Sequence, residues 1–154
     1  MTDDLRPLGD PGSTQFEVKY YPFYLLNRAV GRYNTVIEME LRKIGLDIPG
    51  WRVLMILGEQ SPRPIAQVAK TAVINISTMT RIVERMVASE LIETVPCGKD
   101  RRVRQLALTG SGHEKLAAAR KLAEPVYRKL VDGFSASEFA DLIDYLNRLY
   151  TRLD

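Results

Sequence analysis

Apolar residues recur at spacings of three and four from Phe23 through Leu26, Val30, Tyr33, Ile37 and Leu41 to Ile44. That period predicts a helix over about 17–44; Pro22 is admissible only near its start, which puts the first ordered turn near Tyr21, and Gly45 ends it. Pro49 opens a second helix, roughly 49–58, with Trp51, Leu54 and Leu57 on one face. Two prolines exclude helix from EQSPRP (59–64), and a short helix, IAQVAKTAV, follows from Ile65. Asn75 reads as the N-cap of a helix over about 76–89, whose buried stripe is Met79, Ile82, Val83 and Met86. LIETVP and RVRQLALT alternate as strands around the loop CGKDR, which predicts an antiparallel hairpin. A helix over 110–134 follows, with Pro125 expected to kink or break it. Ser135 and Glu138 match a capping box for a last helix carrying Phe139, Leu142, Ile143, Leu146, Leu149 and Leu153.

The order is therefore helix, helix, short helix, turn, capped helix, hairpin, helix, helix: a mainly α chain with a small β-hairpin (α+β). Its middle is a helix-turn-helix followed by a hairpin, the pattern of a winged helix. The first predicted helix is about 40 Å long at 1.5 Å per residue. Its apolar stripe is too long to be covered within one small lobe. At 154 residues the chain suits one domain, or a small domain with helical extensions. The pattern divides it into a flexible N-terminal arm (1–16), a helical region (17–48 and 110–154) and a winged helix-turn-helix (49–109).

Charge sharpens this division. Residues 60–109 hold eight cations (Arg63, Lys70, Arg81, Arg85, Lys99, Arg101, Arg102, Arg104) and four acids (Glu84, Glu90, Glu93, Asp100), a net +4 where the whole chain is +3. Such segregation suits a surface facing a polyanion; a merely solvated basic face is the plainer alternative. The start of the capped helix adds short polar side chains, Ser77, Thr78 and Thr80, that permit close approach to a major groove. Arg81 has the reach for a guanine or a phosphate, and Arg85 lies near the same side. A hairpin at this distance can carry an arginine to the narrow, electronegative minor groove.

Other chemistry is thinly represented. No apolar run approaches the ~18 residues of a membrane span. The acidic, polar N-terminus has neither the basic nor the apolar segment of a leader peptide. One cysteine, Cys97, cannot form an intrachain disulfide, which points to a reducing cytoplasm. One cysteine and one histidine are too few for a zinc site of those ligands, and no nucleophile–histidine pairing or glycine-rich phosphate loop is present. No catalytic residue, metal or cofactor is expected.

The stretch from Gly45 to Leu116 closely resembles the MarR family of bacterial transcriptional regulators. WRVLMIL (51–57) looks like that family's second helix, STMTRIVERM (77–86) its recognition helix, and DRRVRQLALTGSGHEKL (100–116) its wing and fifth helix. The resemblance covers about residues 20–150. It implies a cytoplasmic homodimer in which the terminal helices of two chains form a shared helical dimerisation domain above two winged-helix lobes. It implies binding to double-stranded DNA at a palindromic operator, with no membrane partner. For the leucines of the last helix, ordinary intrachain packing is the alternative.

In the wing, Asp100-Arg101-Arg102 matches a recurring D-x-R pattern. The resemblance assigns Asp100 to an arginine that it pairs with, Arg102 to the minor groove, and Arg101, Arg104 and Lys99 to phosphates. It also implies release from DNA by a small aromatic or anionic effector, such as an aromatic carboxylate or its CoA thioester. Candidate pocket residues are Tyr21, Tyr24, Arg28, Arg32, Trp51 and His113, with helix packing or solvation as the alternative for each. Cys97 reads as incidental, with redox sensing as the other reading. A ligand-independent regulator or activator, or a winged helix serving protein–protein interaction without DNA, remain as further alternatives.

Overall fold

A computed structural model of the protein describes residues 4–153; residues 1–3 of the expected arm and residue 154 of the last region lie outside them. The elements are α1 (Arg6–Gly9), a 3-10 turn (Val18–Tyr20), α2 (Pro22–Arg42), α3 (Ile48–Glu59), β1 (Arg63–Pro64), α4 (Ile65–Ala72), α5 (Ile76–Ala88), β2 (Ile92–Pro96), β3 (Arg104–Leu108), α6 (Gly110–Val131) and α7 (Ala136–Thr151). The architecture is mainly helical with one small antiparallel sheet.

Local chemistry accounts for most boundaries. Tyr21 precedes a proline and is extended, so α2 starts at Pro22, beside the start expected near Tyr21 and not at 17. The chain leaves α2 through Gly45, at φ +68°, a left-handed turn that suits glycine. Asp47 caps α3 by accepting a hydrogen bond from the Gly50 N–H at 2.8 Å. The Asn75 side chain accepts from the Thr78 N–H at 2.8 Å and starts α5. Ser135 and Glu138 form the reciprocal capping box that starts α7.

Two expectations are narrowed. Of a kink or a break at Pro125, the break is excluded: α6 is continuous from Gly110 to Val131 with the proline inside it. The missing N–H frees the carbonyl four residues earlier, that of Lys121, and both residues lie on an open cavity. The sheet also has three strands, in the order β1-β3-β2, rather than two. Arg63 pairs with Leu106, and Ile92, Thr94 and Pro96 pair with Leu108, Leu106 and Arg104. The extra strand is two residues long, too short for any periodicity to announce it.

One core joins the lobe to the long helices. Val53, Leu54 and Leu57 of α3 meet Val68 of α4, the α5 stripe Met79, Ile82, Val83 and Met86, and Ile92 and Leu106 of the sheet. Ile37 and Leu41 of α2 and Leu116 and Ala119 of α6 complete it. Burying each large side chain contributes about 1.5–3 kcal/mol, so this cluster dominates the stability of the lobe. Away from it the apolar stripes are bare. Val30, Leu130 and Ile143 are about half exposed, Leu153 is 77% exposed, and among the described residues α7 buries none.

The joint between sheet and α6 is unusually close. A Cβ on Gly112 would lie 1.9 Å from the Leu91 carbonyl oxygen. That same oxygen accepts from the Thr109 N–H, while the Thr109 hydroxyl donates to the Glu90 carbonyl. Gly112→Ala is therefore expected to destabilise the protein by about 2 kcal/mol or more in urea denaturation. Gly110→Ala, two residues earlier and facing open space, is expected to stay within about 0.5 kcal/mol. Equal effects at the two positions would contradict this account of the joint.

Candidate nucleic-acid interface

The buried stripe of α5 fixes which of its residues face outward. With Met79, Val83 and Met86 in the core, Ser77, Thr78, Thr80, Arg81 and Arg85 are all exposed. Lys99, Asp100, Arg101, Arg102 and Arg104 are exposed as well, at the tip of the β2–β3 hairpin and the start of β3. α5 packs against β2, so the helix and the wing belong to one lobe. A groove of about 450 Å³, lined by Thr80, Glu84, Val87, Thr94 and Arg104, runs between them.

Two of the three hydroxyls at the start of α5 are already engaged. Ser77 Oγ donates to Asn75 Oδ1 at 2.8 Å, and Thr80 Oγ1 donates to the Ile76 carbonyl at 2.9 Å. Both keep acceptor lone pairs but have used their protons inside the helix. Arg81, Lys99, Arg101, Arg102 and Arg104 have no carboxylate within ion-pair distance among the described residues. Their charge is thus uncompensated and open to solvent.

Arg85 differs. Its guanidinium pairs with Asp47 Oδ2 at 2.7 Å, while Asp47 Oδ1 caps α3. One carboxylate therefore ties the end of α5 to the start of α3. Asp47 escaped the sequence reading, although an aspartate three residues before Gly50, with a proline between, is a readable cap signal. Its contact with Arg85 joins segments far apart in the chain and left no local trace.

The wing is held differently from the expected aspartate–arginine pair. Asp100 Oδ1 accepts from the backbone N–H of Arg102 at 2.9 Å, and the Asp100 carbonyl accepts from the Val103 N–H at 3.1 Å. Among the described residues Asp100 forms no ion pair with an arginine side chain. A local turn of this kind orders no long side chain, so it competes well with an exposed ion pair. Cys97 is half-buried at the end of the hairpin, where its N–H donates to the Val103 carbonyl. The backbone N–H groups of Asp100 and Lys99 hold its thiol below the ordinary range.

The six candidate effector residues do not converge. Tyr21 packs edge-on between Phe16 and Phe23, and the Arg28 guanidinium lies 5.8 Å from the Tyr24 ring centre. Trp51 is in the core with its indole N–H unpartnered. His113 lies exposed in the first turn of α6. Only Arg32 of these six lines a cavity of about 710 Å³ between α2 and α6, together with Tyr33, Val36, Glu40, Lys121, Pro125, Val126 and Lys129. Three cations and one acid around an apolar floor suit an organic anion. A spacing argument along α2 alone could not supply the α6 half of that wall.

A sequence profile of the MarR family matches residues 46–103. The HTH-type transcriptional repressor IacR of Pseudomonas putida is 34% identical over 140 residues, covering 91% of this chain and 81% of that protein. The fold is shared with a cysteine-to-serine mutant of MarR from E. coli complexed with operator DNA (TM-score 0.75, 18% identity, 85% of this chain and 95% of that one). It is also shared with CouR of Rhodococcus jostii RHA1 bound to p-coumaroyl-CoA (TM-score 0.80, 20% identity, 86% and 94%).

The two roles of Asp47 can be separated. Asp47→Ala loses cap and ion pair and is expected to cost about 1–2 kcal/mol in chemical denaturation. Asp47→Asn keeps a capping oxygen and loses only a half-exposed ion pair, an effect expected within about 0.5 kcal/mol. Equal losses would assign the stability to the ion pair instead.

Proposed function

This chain belongs to the MarR family of transcriptional regulators, and on that premise we propose that it is a ligand-responsive repressor that binds a palindromic operator as a homodimer. The observation that carries the reading is the unpaired cationic wing beside an outward-facing helix start, within a segment whose net +4 exceeds the +3 of the whole chain. Arg102 is the minor-groove residue, Arg81 contacts bases or phosphates in the major groove, and Lys99, Arg101 and Arg104 attract the backbone. Asp100 shapes the turn that aims Arg102. Ser77, Thr78 and Thr80 lie at the groove floor, and Arg85 reaches DNA only by leaving Asp47.

The bare apolar faces of α2, α6 and α7 support a second copy as their cover, which makes 17–48 and 110–154 the dimerisation region and 49–109 the DNA-binding region. Two-fold symmetry would then present the α5 helices to half-sites about 34 Å apart. The α2–α6 cavity supports an aromatic carboxylate or its CoA thioester as effector, with Arg32, Lys121 and Lys129 as the anion-binding groups. Such a ligand releases the operator only through unequal affinity for the DNA-bound and free conformations.

Arg102→Ala is expected to lower operator affinity by about tenfold or more in a fluorescence-anisotropy titration, the scale of one good groove contact, while leaving the sedimentation coefficient unchanged. Unchanged affinity would refute the wing assignment. For the parent protein, log Kobs should fall linearly with log[salt], and each phosphate contact removed by a wing substitution should reduce the slope by about 0.9.

The effector reading predicts that aromatic carboxylates raise the melting temperature and dissociate the operator complex, and that Arg32→Ala abolishes both responses. Release that persists in Arg32→Ala would move the effector site elsewhere.

A further inference from the structure

The turn between α4 and α5 carries two branched apolar side chains that the fold leaves exposed. Val73 ends α4 in the left-handed conformation, at φ +56° and ψ +46°. A side chain branched at Cβ is sterically strained there, and glycine or asparagine would not be. Two backbone hydrogen bonds close this helix end, Val73 N–H to the Lys70 carbonyl and Ile74 N–H to the Ala69 carbonyl, but the Val73 side chain itself is 88% exposed. Three residues on, across the Asn75 cap, Ile76 is the first residue of α5 and is 51% exposed. A strained valine and a bare isoleucine thus flank the end of α5 that the DNA-binding reading directs into the major groove.

Two of the three hydroxyls beside them are already committed, leaving that of Thr78. The Ser77 hydroxyl donates to Asn75 Oδ1, and the Thr80 hydroxyl donates to the carbonyl of Ile76 itself. The helix start therefore offers branched hydrocarbon, with few free hydroxyl protons. In the major groove the one hydrocarbon group that distinguishes a base is the C5-methyl of thymine.

We propose that Ile76 and Val73 are specificity residues that read thymine methyl groups in each half-site of the operator. The inference rests on the DNA-binding reading and deepens it. The end of α4 requires a left-handed residue at this position, which glycine would fill without strain, and the valine there presents its methyls to DNA instead.

The test starts from an operator selected out of a random duplex library by the full-length protein. Each thymine is then replaced singly by deoxyuridine, which removes the methyl and leaves base pairing intact. At least one position per half-site should weaken binding about three- to tenfold, the range expected for an apolar contact of one methyl group. With Ile76→Ala that sensitivity should vanish. Val73→Gly should weaken operator binding while its melting temperature stays equal or rises, since glycine relieves the strain. A scan in which no deoxyuridine weakens binding beyond about twofold would overturn the proposal, as would an undiminished penalty in Ile76→Ala. A Val73→Gly protein that binds the operator as tightly as the parent would remove Val73 from it. Failure to select any operator would sink the DNA-binding reading as well, so the two failures are distinguishable.

Discussion

The burial of Met79, Ile82, Val83 and Met86 is the constraint on which the rest depends. These four side chains lock the rotation of α5 about its own axis against α3, α4 and the sheet. Once that angle is set, the outward residues follow from 3.6-residue geometry. The wing is set by the same contact, because β2 packs on α5 and β3 is registered on β2 residue by residue. Placement of the exposed cations thus derives from apolar packing, and the charges themselves contribute little to the fold.

Where information was local, it was legible in the chain. The α5 stripe, the Asn75 cap and the Ser135–Glu138 capping box each depend on residues within a few helical turns, and all three are present in the structure. The start of α2 was less clear, since the tyrosines before Pro22 continue the apolar pattern while the proline denies them a helical backbone. Of the two outcomes allowed at Pro125, a break is excluded, because α6 runs through the proline with Lys121 and Pro125 both beside an open cavity. The two-residue β1 strand, the Asp47–Arg85 pair and the α6 wall of the cavity join distant segments. Periodicity carries no signal for such contacts.

The wing shows how one residue type serves two ends. A carboxylate among four cations reads from the sequence as a charge partner. In the structure Asp100 gives one oxygen to a backbone amide. The turn is closed by main-chain chemistry, so every neighbouring guanidinium stays unpaired. An ion pair in its place would have neutralised one of the charges that the segment displays. The same division of labour holds at the start of α5, where hydroxyl protons stabilise the helix and leave other surfaces outward.

The joint at Gly112 has a mechanical consequence. α6 is one uninterrupted rod of 22 residues, about 33 Å long at 1.5 Å per residue. Its near end is seated on the Leu91 carbonyl with no room for a methyl group, so it cannot swivel independently of the strand beside it. Its far end stands among bare apolar side chains. A rod clamped at one end and loaded at the other is a lever: displacing the far end by about 2 Å tilts the clamped end by roughly 3–4° on that length. The sheet, and the hairpin that extends from it, must turn with it.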